Sequence, residues 1–290
     1  MRRIIVFTIV TFFTLVSKTY AEDLVFGVTA HRGGEQALSA WTDLKNYLSK
    51  QLNETILLRP IHVKSFISTI QDVEFDILLL QPVQTLVAQE KYGYLRLTTI
   101  RKSSGTHFAG VIFAHKDSGI KTGKDLMGKR VASMKHGVAA GAYLFQVYHL
   151  MQQGIDPHKD FAEFREVTKQ QNIVNAVKMK LIDAGFIRSG LLESLDKAGK
   201  VSLEDFAIVD QKTDPRLNQL HSTVLYPEWS VSVSAKMDKD LVEVAKKALL
   251  KIQPEDKAAV AGSFLGFKEP VSHAQLKKVM VDLKIPPFDN

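Results

Sequence analysis

Cysteine is absent from the 290 residues. That excludes disulfide staples, thiolate metal centres, a cysteine nucleophile and a lipid-modified amino-terminal cysteine. The sequence also lacks a phosphate loop ending in Gly-Lys-Ser/Thr, a dinucleotide glycine fingerprint, a Gly-x-Ser-x-Gly elbow and a His-Glu-x-x-His pair. Carboxylates fall on helical and surface stretches rather than at strand ends, so the general acid and base of a hydrolase are missing and no enzyme is expected. No repeat period, low-complexity tract or long linker appears. What remains is an ordinary globular composition, 45% hydrophobic and 24% charged, with enough chain for two lobes of about 100–150 residues each.

The amino terminus stands apart. Arg2 and Arg3 precede an apolar run over residues 4–16, followed by Ser17, Lys18, Thr19, Tyr20 and Ala21. This is the three-part pattern of a secretory signal, and the run is short against the roughly 20 residues that span a bilayer. Residues 1–21 are therefore expected to be removed, giving a periplasmic protein with no lipid anchor. Losing Arg2, Arg3 and Lys18 leaves 35 basic against 31 acidic residues and lowers the formal charge from +7 to +4. A modest positive excess suits a small anion. Nucleic acid is excluded as a partner, because there is no basic cluster interleaved with aromatics.

After Ala21, short β-type runs alternate with amphipathic helical ones, the pattern of an α/β protein. Residues 24–28, 55–58 and 75–80 read as strands. Leu38, Trp41, Leu44 and Leu48 mark a first helix, residues 65–73 a second, and Pro82 opens a third. The middle of the chain predicts strands at 110–114, 129–133, 163–167, 181–187 and 206–209. Helices are predicted at 140–153, closed by Gly154, and at 170–180 and 190–198. Strands at 223–225 and 230–234 follow, then helices at 241–252, 254–261 and 273–282.

Ligands of open α/β sheets bind beyond the carboxyl ends of strands. Those ends hold Thr29, His31 and Arg32; Gln81; His136; Arg188; and, late in the chain, His221 and Tyr226. His107 lies just before the strand at 110. Residues 137–141 (GVAAG) would start a helix with side chains too small to shield its free amides, a ready anion site through Gly137, Val138 and Ala139. The same glycines also fit a tight strand-to-helix turn. Arg32 and Arg188 either fork onto an oxyanion or form a salt bridge between lobes. His31, His107, His136 and His221 give a second reading, a metal or metal-chelate receptor. They lack short ligand spacing and neighbouring carboxylates, so no metal ligand and no cofactor is assigned. A third reading is an enzyme or accessory protein with a vestigial pocket. Trp229 either stacks beneath a ligand or packs at a crossover, packing being the simpler role.

One family resemblance gathers these features. Phe26-Gly27-Val28 with Ala30-His31-Arg32-Gly33, Trp41, residues 44–48, Asp76 with Gln81-Pro82, residues 108–113 (FAGVIF) and 126–132 (LMGKRVA) carry its first half. Gly154-Ile155-Asp156-Pro157, Asp183-Ala184-Gly185, Arg188-Ser189-Gly190, His221-Ser222-Thr223 and residues 225–229 (LYPEW) carry the rest. Over residues 24–286 the chain resembles the phosphate/phosphite/phosphonate-type periplasmic substrate-binding family of ABC transporters, notably the branch that also serves as the sensing domain of histidine kinases.

The resemblance implies a two-lobe type II periplasmic binding protein, each lobe a mostly parallel sheet flanked by helices, with two crossover segments near residues 110–114 and 223–230. Lobe 1 is expected over 22–110 and 226–290, and lobe 2 over 111–225. The implied ligand is a small anion of the phosphate, phosphonate or sulfur oxyanion class. The implied partner is an ABC permease or a membrane sensor kinase, and a separate secreted receptor, a monomer, is expected. Thr29 to Arg32, Gln81, residues 137–141, Arg188 and the His221/Tyr226 segment match cleft-lining positions of the family. Phosphonate and phosphate binders usually carry Ser or Thr where this sequence has Gly137, Val138 and Ala139, and Asn where it has Gln81. The lost hydroxyls leave a sulfur oxyanion or small organic acid equally compatible.

Overall fold

The computed structural model describes residues 23–31, 33–136 and 139–289. The expected signal segment and three candidate residues, Arg32, Gly137 and Val138, lie outside them. In chain order the elements begin β1 (Leu24–Thr29), α1 (Gly34–Leu52), β2 (Ile56–Ile61), α2 (Phe66–Asp72), β3 (Ile77–Leu80), α3 (Pro82–Tyr92), β4 (Leu95–Ile100), β5 (His107–Phe108) and β6 (Gly110–His115). They continue with β7 (Arg130–Ser133), α4 (Phe145–Met151), α5 (Pro157–Asp160), β8 (Glu163–Glu166), α6 (Gln170–Lys178), β9 (Ala184–Arg188) and α7 (Leu191–Lys197). The last are β10 (Phe206–Ile208), β11 (Lys212–Asp214), β12 (Leu217–His221), β13 (Tyr226–Pro227), β14 (Ser230–Val233), α8 (Lys239–Lys251), α9 (Lys257–Gly262), β15 (Phe267–Lys268) and α10 (Ala274–Asp282).

Two mixed sheets carry the fold. The first has six strands in the order β15-β4-β14-β3-β1-β2, and the second five in the order β10-β6-β9-β7-β8. In the first, β1, β2, β3 and β4 run one way while β14 and β15 run against them. In the second, only β6 runs against the others. The reversed strands β6 and β14 are those the chain enters straight from a crossing, so their amino ends lie where their neighbours end: Gly110 opposite Arg188, and Ser230 opposite Leu80 and Thr99. The crossings pair with each other as a two-stranded ribbon, β5 against β13.

Burial explains why these segments fold as they do. Along α1, Ala37, Trp41, Leu44, Leu48 and Leu52 recur every three or four residues and are buried, the stripe that seats a helix on a sheet. They pack with Phe26, Val28, Val231 and Val233 on one face of the first sheet. The opposite face, with Leu78 and Leu80, belongs to a larger core that continues through Phe108, Phe145 and Tyr226 to Phe186 of the second sheet. A third cluster, including Phe113, Ile173, Val177 and Ile187, fills the other side of the second sheet.

Three local expectations change. Residues 223–225 are not a strand; the chain instead forms the hairpin β11–β12 before it and β13 after it. The helix expected from residue 140 starts as a π-type turn over Ala140–Leu144, with Ala142 at non-helical φ −132° and ψ 20°, and becomes α-helical only at Phe145. Strand β4 joins the first sheet although its residues were not read as a strand.

Candidate functional site

The carboxyl edge of the first sheet gathers Thr29, His31 and Gln81 with residues from both crossings. Thr29 is buried at 1% exposure. Its hydroxyl donates to Gln84 Oε1 at 2.5 Å and accepts from the Gln81 amide at 3.2 Å. The Gln81 side chain caps α3, accepting from the Val83 amide at 3.3 Å. The Thr29 hydroxyl thus ties β1 to the start of α3, and the Gln81 side chain caps that helix. His31 is exposed, with its ring edge-on to Trp229 at 5.2 Å. Trp229 in turn lies 6.4 Å from Trp41, which is buried on α1.

Beside this indole sits a cation that the strand-end reading passed over. Lys102 follows β4, its Nζ 6.0 Å from the Trp229 ring centre and 3.3 Å from Glu228 Oε2. The Glu228 side chain is 3% exposed and that of Lys102 30%. A buried carboxylate without a partner is costly, and Lys102 supplies that partner.

On the second sheet, Arg188 ends β9. Its amide donates to Gln170 Oε1 at 2.9 Å, and its side chain is half-buried. Among the described residues no carboxylate pairs with its guanidinium. The π-type turn comes close: a Cβ on Gly141 would lie 2.6 Å from Phe108 Cε2 and 3.2 Å from Arg188 Cβ. Only glycine fits there, for a packing reason. The Ala139 amide is already bonded to the Lys135 carbonyl at 3.3 Å. His136 joins an aromatic cluster, with ring centres 4.7 Å from Tyr143 and 4.5 Å from Phe164, and its amide donates to Glu166 Oε1 at 2.8 Å. Burial holds its pKa below the usual histidine value, against the pull of Glu166.

The crossing ribbon holds His107 and Tyr226 in different settings. His107 is half-buried opposite Pro227, and desolvation, then Arg216, lowers its pKa. Tyr226 is 1% exposed and stacks on Phe145 with ring centres 3.5 Å apart; burial pushes its pKa up. His221 is 2% exposed, with Nδ1 at 2.8 Å from the Gln219 carbonyl. The four strand-end histidines thus lie in four surroundings. Among the described residues no three His, Asp or Glu side chains are grouped to hold a metal ion.

Residues 26–275 match the family described as ABC transporter, phosphonate, periplasmic substrate-binding protein. The chain belongs to that family. It is a family of periplasmic substrate-binding proteins rather than enzymes. The tetrathionate sensor histidine kinase TtrS of Salmonella typhimurium is 27% identical over 267 residues, covering 90% of this chain and 44% of that protein. The chain thus spans less than half the length of that relative. Among solved structures, XAC2383 from Xanthomonas citri bound to ATP superposes with a TM-score of 0.68 at 17% identity, covering 90% of this chain and 95% of that one. PhnD1 from Prochlorococcus marinus in complex with methylphosphonate gives 0.64 at 14%, covering 90% and 97%. Both share the type II periplasmic binding protein fold of this family member.

Proposed function

We propose that this protein captures a small oxyanion between two lobes, 22–110 with 226–290 on one side and 111–225 on the other, and passes it to an ABC importer or reports it to a sensor kinase. The supporting observation is the state of Arg188. It stands at the carboxyl edge of the second sheet, beside the crossing, with no carboxylate among the described residues to neutralise it. An anion held there gains a charge-assisted fork, and contacts from the facing lobe favour closure. His31, and Arg32 next to it in sequence, supply the opposite side. Thr29, Tyr226 and His221 are buried supports that hold these edges in place, Gln81 caps α3 beside them, and His107 borders the crossing. The relative that bears tetrathionate in its name brings sulfur oxyanions into the ligand class beside phosphate and phosphonates.

A thermal-shift series tests the reading, using phosphate, phosphite, methylphosphonate, sulfate, thiosulfate, tetrathionate, small carboxylates, Zn²⁺ and Ni²⁺. A ligand at a hundred times its dissociation constant adds about 2.7 kcal/mol, which raises the midpoint by several degrees in a protein of this size. A shift with one oxyanion class is the expected result. Shifts confined to the metals would instead select the metal-receptor reading.

A further inference from the structure

We infer that Lys102 and Trp229, set in place by Glu228, form a ligand seat on the first lobe that selects anions bearing a polarizable sulfur or carbon substituent over bare phosphate and sulfate. This rests on the oxyanion-receptor reading and specifies which part of the ligand the first lobe recognises.

Three observations converge on the seat. Lys102 is fixed at its backbone, where residues 102 and 105 exchange amide-to-carbonyl bonds of 2.8 and 2.9 Å across a turn that needs Gly105 at φ 99°. Its ammonium is fixed by Glu228, whose carboxylate is almost fully enclosed while the lysine stays 30% open. An ammonium has three donors, so one carboxylate neighbour leaves others for a ligand. Trp229 is only partly buried, backed by Trp41 and flanked by Lys102 on one side and His31 on another. His31 follows the carboxyl end of β1, Lys102 that of β4, and Glu228 and Trp229 precede the amino end of β14. That is the edge where an open α/β sheet takes its ligand.

The chemistry of the indole sets the selectivity. Its face carries negative electrostatic potential, so a hydrated tetrahedral oxyanion gains nothing by lying on it. A methyl group or a divalent sulfur chain does gain, through dispersion and sulfur–aromatic contact, while its anionic head meets the Lys102 ammonium. Glu228 acts as a positioning residue, holding the ammonium over the ring; the pair is formally neutral, so the seat offers directed N–H donors rather than a net positive charge.

Calorimetric titration of the whole protein with phosphate, sulfate, methylphosphonate and tetrathionate tests this. We expect methylphosphonate or tetrathionate to bind at least about tenfold tighter than phosphate or sulfate, and which of the two binds tighter distinguishes a carbon from a sulfur substituent. The double variant Lys102→Gln/Glu228→Gln removes the cation without stranding a buried carboxylate, and should weaken binding about 10- to 100-fold. Trp229→Leu should erase the preference, whereas Trp229→Phe should keep most of it. Wild-type affinity in the double variant, or an undiminished preference in Trp229→Leu, overturns the seat while leaving the receptor reading intact. Absence of binding by the wild type to every anion overturns both. Should Trp229→Leu fail to fold, Trp41→Phe leaves Trp229 as the sole indole of the two in the chain. Its emission must then change on saturation with methylphosphonate, and an unchanged spectrum refutes the contact.

Discussion

Arg188→Ala is the most direct probe of the second sheet's carboxyl edge. The substitution keeps the Cβ that packs near Gly141 and the amide that donates to Gln170. It removes a guanidinium for which the described residues offer no carboxylate, so no buried charge is left behind. Stability should therefore hold, with the midpoint moving by no more than about 2 °C, because surface changes away from networks stay within about 0.5 kcal/mol. Binding should not hold. A hydrogen bond to a charged group contributes about 1.5–3 kcal/mol, which at about 1.4 kcal/mol per decade is roughly a 10- to 150-fold rise in dissociation constant. Arg188→Lys should recover part of the loss, since it restores the charge without the planar fork. Titration calorimetry with the best anion of the thermal-shift series, paired with a melt of each variant, reads both quantities. An unchanged affinity, or a midpoint lowered by many degrees, would place Arg188 in the scaffold and refute the reasoning.

Three further outcomes follow from the packing. His273 is 3% exposed and in contact with Arg96. Burial and then the Arg96 charge depress its pKa to about 4. The folded protein therefore resists taking up a proton that the unfolded chain accepts below about pH 6.5; stability should fall as pH drops from 6.5 toward 4, by about 3 kcal/mol from this residue, and urea melts at pH 7, 5.5 and 4.5 should show a shallower slope for His273→Gln. His136→Gln should leave anion affinity within about twofold but lower stability by about 1 kcal/mol through the lost stacking on Tyr143 and Phe164, checked by calorimetry and denaturant titration. A Cβ on Gly185 would lie 2.4 Å from Ile173 Cγ2 and 2.9 Å from Phe113 Cε1, so Gly185→Ala should cost about 1–3 kcal/mol, seen as a lowered midpoint in scanning calorimetry.

The strands and helices with strong periodicity were legible in the sequence. The α1 stripe and the apolar run of β3, where Ile77, Leu78, Leu79 and Leu80 are all buried, are examples. Strand β4 was not, and its pairing shows why. The register against β14 shifts between Val231 and Ser232, and the burial pattern of Leu95–Ile100 runs from exposed Leu95 to four consecutive buried residues. Such a bulge breaks the two-residue alternation on which strand reading depends. Missing β4 also meant missing Lys102, since its place at a strand's carboxyl end was the one local signal it carried. At the same edge, the positions of Thr29 and Gln81 were read correctly as strand ends. The Thr29 bond to Gln84 could not be read, because it forms only once β1 and α3 pack together, whereas the Gln81 bond to the Val83 amide is a local cap at the start of α3.

The absence of a linker in the sequence follows from the construction of the crossing. Each passage between sheets is stitched to the other by side-chain hydroxyls as well as by backbone. Thr223 Oγ1 accepts from the Gly110 amide at 3.0 Å and Ser222 Oγ from the Ile112 amide at 2.9 Å, while Glu228 donates its amide to the Thr106 carbonyl at 2.8 Å. Beside the ribbon, Phe145 of α4 stacks on Tyr226, and Tyr148 of α4 donates to Asp282 Oδ2 of α10 at 2.8 Å. In the closure proposed above, the bonded ribbon stays intact and movement falls to small dihedral changes within it. Arg188 lies one residue from Ser189, whose hydroxyl accepts from the Ala109 amide at 3.1 Å, and Lys102 lies four residues before Thr106. Cations on both sides of the crossing are thus within a few bonded residues of the ribbon. In the proposed closure, a ligand that draws them together acts close to the ribbon, where small displacements of the contacts translate into larger displacements of the sheets' far ends.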